Sequence, residues 1–387
     1  MTIPLDDLYH YIKGLVSKPV CMYLFYPHGS RNILNLIGLS NDKNFSDKRN
    51  QSLLVVCHDQ EPLNYHLYDD HSSDVVDLHY EYCQGLIDRH TIKKSNISLP
   101  THVWFNKYKK IILLHSEKNS DDLKMYESQG YEPVHYWSHA VIARDWYRFA
   151  EFDQRLDSAA VPEKDFLIYS RDWSGSREYR IKFQQLLFDH QLVNDSVTSI
   201  RKLSDCNISI LQHQFKNANL KPGSFDFLNF LQDNNFGSSA SGSYDPDDFN
   251  STKLSVVLET VVDSGKIHLT EKTVRPLACG HPFMLAAGPG SLEYLRSYGF
   301  KTFGPWIDES YDLEENTVLR LEKIIYAMKQ FNNLNSDKKI QVWREIKKIA
   351  NYNRTWFFSK SFTDVVHNEL KNNLSKAVDN ITNSSLI

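Results

Sequence analysis

Short apolar runs alternate with segments of helical periodicity along most of this chain. Each apolar run is rich in β-branched or aromatic residues and is bounded by polar loops, which is typical of buried parallel strands. The segments between them repeat apolar residues at helical spacing, which is typical of amphipathic helices. In the first half, the pattern predicts strands at residues 20–26, 53–57, 111–114 and 133–136 and helices at residues 5–16, 30–37, 120–129 and 140–151. This alternation predicts an α/β fold with parallel sheets.

The second half of the chain repeats the alternation. It predicts strands at residues 166–170, 254–260 and 283–286 and helices at residues 178–188, 271–279 and 292–298. A stretch at residues 153–164 that contains a proline is the predicted boundary between the halves, and residues 236–250, rich in Gly, Ser and Asp, are predicted to be a flexible loop. We therefore predict two doubly wound, Rossmann-like domains at residues 1–155 and 164–335 that face a cleft. Predicted C-terminal helices at residues 338–387 bridge back to the first domain.

Composition and charge narrow the class of protein. A length of 387 residues with 41% hydrophobic residues is ordinary for two globular domains. The formal net charge of −4 gives no overall attraction to nucleic acid or to an anionic membrane. The N-terminus has neither the basic region nor the apolar core of a secretory signal, and no apolar run approaches a membrane span. The expectation is a cytoplasmic protein whose five scattered cysteines are reduced.

The most informative stretch runs from residue 254 to residue 303. A predicted strand ends at Glu259, a polar loop follows, and Thr270 can cap a helix whose first turn carries Glu271 and Lys272. Helix N-termini favour anions through their N–H groups and the macrodipole, and a lysine adds to that preference. A carboxylate beside a phosphate site is suited to the hydroxyl groups of a ribose. The combination predicts a nucleotide site.

Polar residues that directly follow predicted strands are further site candidates, because ligands of parallel sheets bind at the carboxyl ends of the strands. These residues are His28, Asp59, Glu61, His115, Glu117, Arg171, Arg177 and Glu259. Two glycine- or aspartate-rich motifs are weaker candidates. Residues 288–291 lack the glycine spacing of a dinucleotide site and the lysine of a P-loop. The Asp-Pro-Asp-Asp sequence at residues 245–248 is predicted to be a surface turn, and no metal site is predicted.

The order of these motifs resembles a known family. A strand with Glu259, a polar loop, Thr270-Glu271-Lys272, a helix and then Gly-His-Pro-Phe at residues 280–283 are similar to the nucleotide-sugar half of the α-1,3-fucosyltransferases and related inverting glycosyltransferases. A second matching element is the strand at residues 166–170, followed by an arginine-containing loop and a helix. The likeness covers residues 164–312, and it implies a GT-B fold.

The resemblance also implies roles for individual residues. Arg177, or alternatively Arg180, contacts the diphosphate of a nucleoside diphosphate sugar together with Lys272, and Arg275 is a further cation near them. Glu259 and the Thr270-Glu271 pair complete the donor site. The resemblance implies an inverting transfer. Because these cations can neutralise the leaving diphosphate, the transfer is expected to need neither a metal ion nor another cofactor.

The first half resembles glycosyltransferases of tailed phages in residues 59–62 and 136–146. Asp59 and Glu61 follow a predicted strand and precede a proline, so they are the predicted general base for an acceptor hydroxyl. The acceptor stays open between a glycan and a hydroxylated base in phage DNA, and a phage enzyme would work in the host cytoplasm. A non-catalytic protein that binds nucleotide sugars is the alternative function.

Overall fold

A computed structural model describes residues 8–16, 20–24, 53–58, 62–63, 111–170, 173, 175–200, 210–230, 242–263 and 265–383. The strands in these residues are β1 (Val20–Leu24), β2 (Leu53–His58), β3 (Ile111–His115), β4 (Tyr131–His135), β5 (Lys164–Ser170), β6 (Ser196–Ile200), β7 (Thr252–Leu258) and β8 (Phe283–Ala286). They form two four-stranded sheets in which every pairing is parallel. The prediction of an α/β fold with parallel sheets is confirmed.

The helices are α1 (Leu8–Leu15), α2 (Asp121–Ser128), α3 (Ser138–Trp146), α4 (Tyr179–Asp189), α5 (Pro246–Ser251), α6 (Glu271–Cys279), α7 (Ser291–Ser297), α8 (Thr317–Asn332), α9 (Ser336–Phe358) and α10 (Lys360–Asn383). The chain divides into two compact units, residues 1–142 with residues 364–387 as unit 1 and residues 143–363 as unit 2. The predicted domain roles and their boundaries stay a prediction. In the described part of the chain, no helix is both long and apolar enough to cross a membrane.

Unit 1 contains the sheet with the sequential order β1-β2-β3-β4. Strand β3 is buried along its whole length, as its sequence Ile-Ile-Leu-Leu-His requires for a strand covered on both faces. The last part of the chain returns to this sheet, because Asn373 donates to the carbonyl of His135 at 2.8 Å. Glu369 also accepts from the backbone N–H of Trp137 at 3.2 Å.

Unit 2 contains the sheet with the order β6-β5-β7-β8. The chain passes from β5 to β6 in one direction and then continues on the other side of β5, so the strand order reverses between β5 and β7. Such a reversal is part of the predicted doubly wound topology. In open parallel sheets it marks the place where a crevice forms at the carboxyl ends of the two strands.

Two local predictions in unit 2 were wrong. The predicted loop at residues 236–250 ends in helix α5, because Asp245 accepts the N–H of Asp247 and Pro246 begins the helix, a common N-terminal combination. The predicted helix at residues 140–151 ends at Trp146, and a short 3₁₀ turn, Arg148–Glu151, follows it. The predicted helix at residues 30–37 lies outside the described residues.

Candidate functional site

The N-terminus of α6 is organised by the buried carboxylate of Glu259, which directly follows β7. Glu259 is fully buried. Its Oε1 accepts from the N–H groups of Thr270 and Thr273 at 2.9 and 3.2 Å and from the hydroxyl of Thr273 at 2.6 Å. Its Oε2 accepts from the N–H of Thr260 at 3.1 Å and the hydroxyl of Thr270 at 2.7 Å. The anion at this helix end is therefore supplied by the chain itself.

Lys272 and Glu271 lie in the first turn of α6 and are paired with each other. Lys272 Nζ is 2.7 Å from Oε1 of Glu271 and 3.1 Å from the hydroxyl of Thr270. The side chain of Lys272 is 26% exposed to solvent, whereas that of Glu271 is 9% exposed. A cation is the disfavoured charge at a helix N-terminus, by roughly 0.3–1 kcal/mol. Glu259 and the Thr270 hydroxyl occupy the N–H groups of Thr273 and Lys272. The partly exposed ammonium group of Lys272 is therefore a part of this turn that can reach an anionic ligand.

Arg180, in the first turn of α4, lies beside the end of β7, and Arg177 precedes it in the β5–α4 connection. The Arg180 guanidinium is buried and donates to the carbonyls of Leu258 and Glu259 at 2.6 and 3.1 Å. Arg177 ends the 3₁₀ turn Gly175–Arg177 and is half-buried. Arg180 therefore ties β7 to α4, and Arg177 is the more accessible of the two guanidinium groups.

Tyr179 connects these arginines to the same strand end. Its hydroxyl donates to the carbonyl of Glu259 at 2.5 Å. Burial raises the pKa of Tyr179 to about 12, although the positive charges of Arg180 and Arg177 oppose that shift. The phenol is therefore a fixed hydrogen-bond donor at neutral pH, and its position places Arg177 near the carboxyl end of β7.

Arg275 lies one turn further along α6, in a buried aromatic environment. Its guanidinium carbon is 4.9 Å from the ring centre of Tyr169, and its Nε donates to the hydroxyl of Tyr147 at 3.3 Å. The Tyr147 hydroxyl is also 3.3 Å from the carbonyl of Glu271. Burial raises the pKa of Tyr147 well above its usual value. Arg275 thus contributes a buried positive charge behind the first turn of α6.

A second helix N-terminus at this end of the sheet is organised in the same way. Both carboxylate oxygens of Asp312 accept the N–H of Leu292 in α7 at 3.1 Å, and burial raises the pKa of Asp312 to about 6. Gly288 comes just before this helix. A Cβ at Gly288 would lie 2.0 Å from the carbonyl oxygen of Lys266, so only glycine permits the observed approach of the two chain segments.

The structure brings together most of the residues predicted for donor binding. Glu259, Thr270, Glu271 and Lys272 form one hydrogen-bonded group, and Arg180 joins it through carbonyl groups at the end of β7. With Arg177 and Arg275 added, this group holds four cationic and two carboxylate side chains, which leaves a net positive charge suited to a phosphate-bearing ligand.

The structure does not describe all of the other predicted residues. Asp59 and Glu61, the predicted base, lie outside the described residues. In the 245–248 motif, Asp245 caps α5, and Asp248 is buried and accepts from the hydroxyl of Tyr169 at 2.6 Å. Within the described ranges, no set of three or more His, Cys, Asp or Glu side chains is arranged to hold a metal ion.

The sequence interpretation missed the three tyrosines of this region. Tyr169 and Tyr179 flank the arginine-containing loop and carry a weak local signal, since each lies next to a predicted element boundary. Tyr147 carries none, because it is 128 residues away from its partner Arg275 in the sequence.

Comparisons with known proteins add no family. No protein-family model matches the chain, and no curated protein matches it. The functional conclusion therefore depends on the chemistry of the site at the ends of β5 and β7.

Proposed function

We propose that this chain is a glycosyltransferase of the GT-B type. Its reaction is the transfer of a hexose or pentose from a nucleoside diphosphate sugar to a hydroxyl acceptor, with inversion at the anomeric carbon and without a metal ion. The single observation that supports it most is the position of Lys272. This lysine extends from the first turn of α6 at the carboxyl end of the sheet, with Arg177 on the neighbouring strand connection.

The donor contacts follow from the charges in unit 2. In this proposal the ammonium group of Lys272 leaves Glu271 and binds a phosphate oxygen, and Arg177 binds the same diphosphate. Glu271 then accepts hydrogen bonds from the hydroxyl groups of the ribose. Glu259 and Thr270 hold the helix end in place through their hydrogen bonds to each other and to the first turn of α6. This refines the role expected for Glu259, from a contact with the nucleotide to the positioning of the residues that make it.

The transfer step needs charge neutralisation and one base. Lys272 and Arg177 stabilise the negative charge that develops on the leaving diphosphate, which is the work of a metal ion in other transferases. A carboxylate among Asp59 and Glu61 takes the proton of the acceptor hydroxyl, whose oxygen then bonds to the anomeric carbon as the bond to the diphosphate breaks. The acceptor is a glycan or a hydroxylated base in DNA, and each of these carries a hydroxyl group that can react.

The test is the affinity of a Lys272→Ala variant for nucleoside diphosphates, measured by calorimetry after a thermal-shift screen has identified the base. A lost charge-assisted contact costs about 1.5–3 kcal/mol, which corresponds to a roughly ten- to hundredfold weaker affinity. Lys338→Ala is the matched control, because Lys338 is an exposed lysine whose ammonium group bonds only to Gln341 among the described contacts. The variant is expected to keep the unfolding temperature of the wild type.

Two results bear on the proposal from opposite sides. Equal nucleotide affinity in Lys272→Ala and in the Lys338→Ala control would exclude the donor site. Tight binding of a nucleoside diphosphate sugar without any transfer or hydrolysis, in a screen with glycans and hydroxymethylated DNA, would identify a non-catalytic nucleotide-sugar-binding protein instead.

A further inference from the structure

Three neighbouring strands of the unit 1 sheet each end in a histidine. His58 is paired in register with His115, and His115 is paired in register with His135. Residues in register on parallel strands direct their side chains to the same face of the sheet. We call these three residues the histidine edge. Ligands of parallel sheets bind at this end of the strands, so a row of imidazoles here is a candidate binding surface.

The central imidazole of the histidine edge is neutral. His115 is buried, and its pKa lies well below the usual value because of that burial and the neighbouring His135 and His58. The backbone N–H of Glu117 donates to its Nδ1 at 3.3 Å. Because Nδ1 accepts this bond, the proton of the neutral ring lies on Nε2. His115 therefore presents an N–H donor on Nε2 that carries no net charge.

The connection that follows β3 contains further buried polar atoms. Among the described residues, the hydroxyl groups of Ser116 and Ser120 have no hydrogen-bond partner, although both residues are more than nine-tenths buried. A buried polar atom without a partner costs about 1–3 kcal/mol, so polar groups of a ligand that reached them would be bound favourably.

The charges around the histidine edge exclude an anionic ligand. The carboxylate of Glu117 is buried in the same connection and accepts from the N–H of Leu63 at 2.6 Å. The carboxylate of Glu369 lies 3.3 Å from Nδ1 of His135 at the other end of the row. Two carboxylates beside a neutral imidazole repel phosphate and favour hydroxyl groups, which can both donate to a carboxylate and accept from His115 Nε2.

We propose that the histidine edge of unit 1 binds an uncharged, hydroxyl-bearing molecule. His115 Nε2–H and the hydroxyl of Ser116 bind its oxygens, and Glu117 accepts from one of its hydroxyl groups. That this molecule is the acceptor of the transfer rests on the proposed function. Both acceptor classes fit this chemistry, because a sugar and a hydroxymethylated base each present an uncharged hydroxyl group.

The experiment is a calorimetric and NMR titration of the full-length protein without any donor. The probes are neutral hexoses and pentoses, the nucleosides 5-hydroxymethyldeoxycytidine and 5-hydroxymethyldeoxyuridine, and inorganic phosphate as the anionic comparison. At least one neutral probe is expected to bind and to shift the side-chain ¹⁵N signals of His115, while phosphate leaves them unchanged. The class that binds identifies the source of the hydroxyl group.

The discriminating variant is Ser116→Ala, with Ser128→Ala as the exposed control in the same unit. Removal of a buried hydroxyl without a partner is expected to leave the free protein as stable as the wild type or more stable. Affinity for the neutral probe is expected to fall by about three- to tenfold, the effect of one neutral hydrogen bond. A hydroxyl with a purely structural role would instead change stability and leave affinity unaltered.

The proposal is overturned if no neutral probe binds, if phosphate binds more tightly than all of them, or if Ser116→Ala binds the probe as the wild type does. None of these outcomes affects the nucleotide titration of Lys272→Ala, because the two measurements use different ligands and different variants. Failure of the hydroxyl site and failure of the donor site are therefore distinguishable.

Discussion

The replacement of Glu259 by glutamine tests whether the chain's own carboxylate organises the N-terminus of α6. The substitution keeps the shape of the side chain and removes its charge. All five groups that surround the carboxylate are donors, namely three backbone N–H groups and the hydroxyls of Thr270 and Thr273. The oxygen of a glutamine can accept from the N–H groups of Thr270 and Thr273. Its NH₂ group then faces the N–H of Thr260, and this N–H loses its acceptor.

The magnitude follows from that arrangement. One buried N–H left without an acceptor costs about 1–3 kcal/mol, and the change from charge-assisted to neutral bonds costs about a further 1–2 kcal/mol. The threonine hydroxyls can rotate and accept, so they add little. We expect Glu259→Gln to lower the free energy of unfolding of unit 2 by about 2–5 kcal/mol. The matched variant Glu271→Gln weakens the pair with Lys272, whose lysine side chain is partly exposed, and is expected to cost about 1 kcal/mol.

The measurement is hydrogen exchange at residues 259–279 in the full chain, combined with urea unfolding, because a chain of two compact units need not unfold in one step. Faster exchange at the start of α6 is expected in Glu259→Gln and not in Glu271→Gln. If Glu259→Gln stays within about 1 kcal/mol of the wild type, the helix end does not depend on this charge, and the reasoning about the site is refuted.

The remaining predictions concern pH and mechanism. Burial lowers the pKa of His281 to about 3, so the unfolded chain binds more protons below the usual pKa and stability is lost as pH falls below about 6.5. Between pH 7 and pH 5 this amounts to about 2 kcal/mol, measured by urea unfolding, and His281→Gln is expected to flatten that dependence. Substitution of Asp59 or Glu61 by the neutral amide is expected to lower kcat at nearly constant donor affinity. If both variants keep the kcat of the wild type, neither carboxylate is the base. Transfer activity is expected to survive EDTA, whereas loss with recovery on manganese addition would show a metal requirement.

The sequence alone determined several local elements of unit 2 and the cap of α6, but strand β6 was not predicted. Strand β8 and helix α6 were predicted with the observed limits, and Thr270 caps α6 as expected. These features depend on periodicity and on hydrogen bonds between residues close in the chain, which a single sequence displays directly. The helix α5 was missed for a related reason, since its Asp-Pro start lies in a segment of loop-like composition.

Only the tertiary structure decided which of these elements meet. The reversal of strand order at β5 and β7 places Arg180 against the carbonyl of Glu259, and the parallel register aligns His58, His115 and His135. Sequence periodicity identifies strands but does not specify their order, because every buried strand of a parallel sheet has the same apolar pattern. The partners of the buried charges are unpredictable for the same reason. Each partner is selected by packing between segments far apart in the chain. The local sequence of one segment does not show which distant segment it will contact.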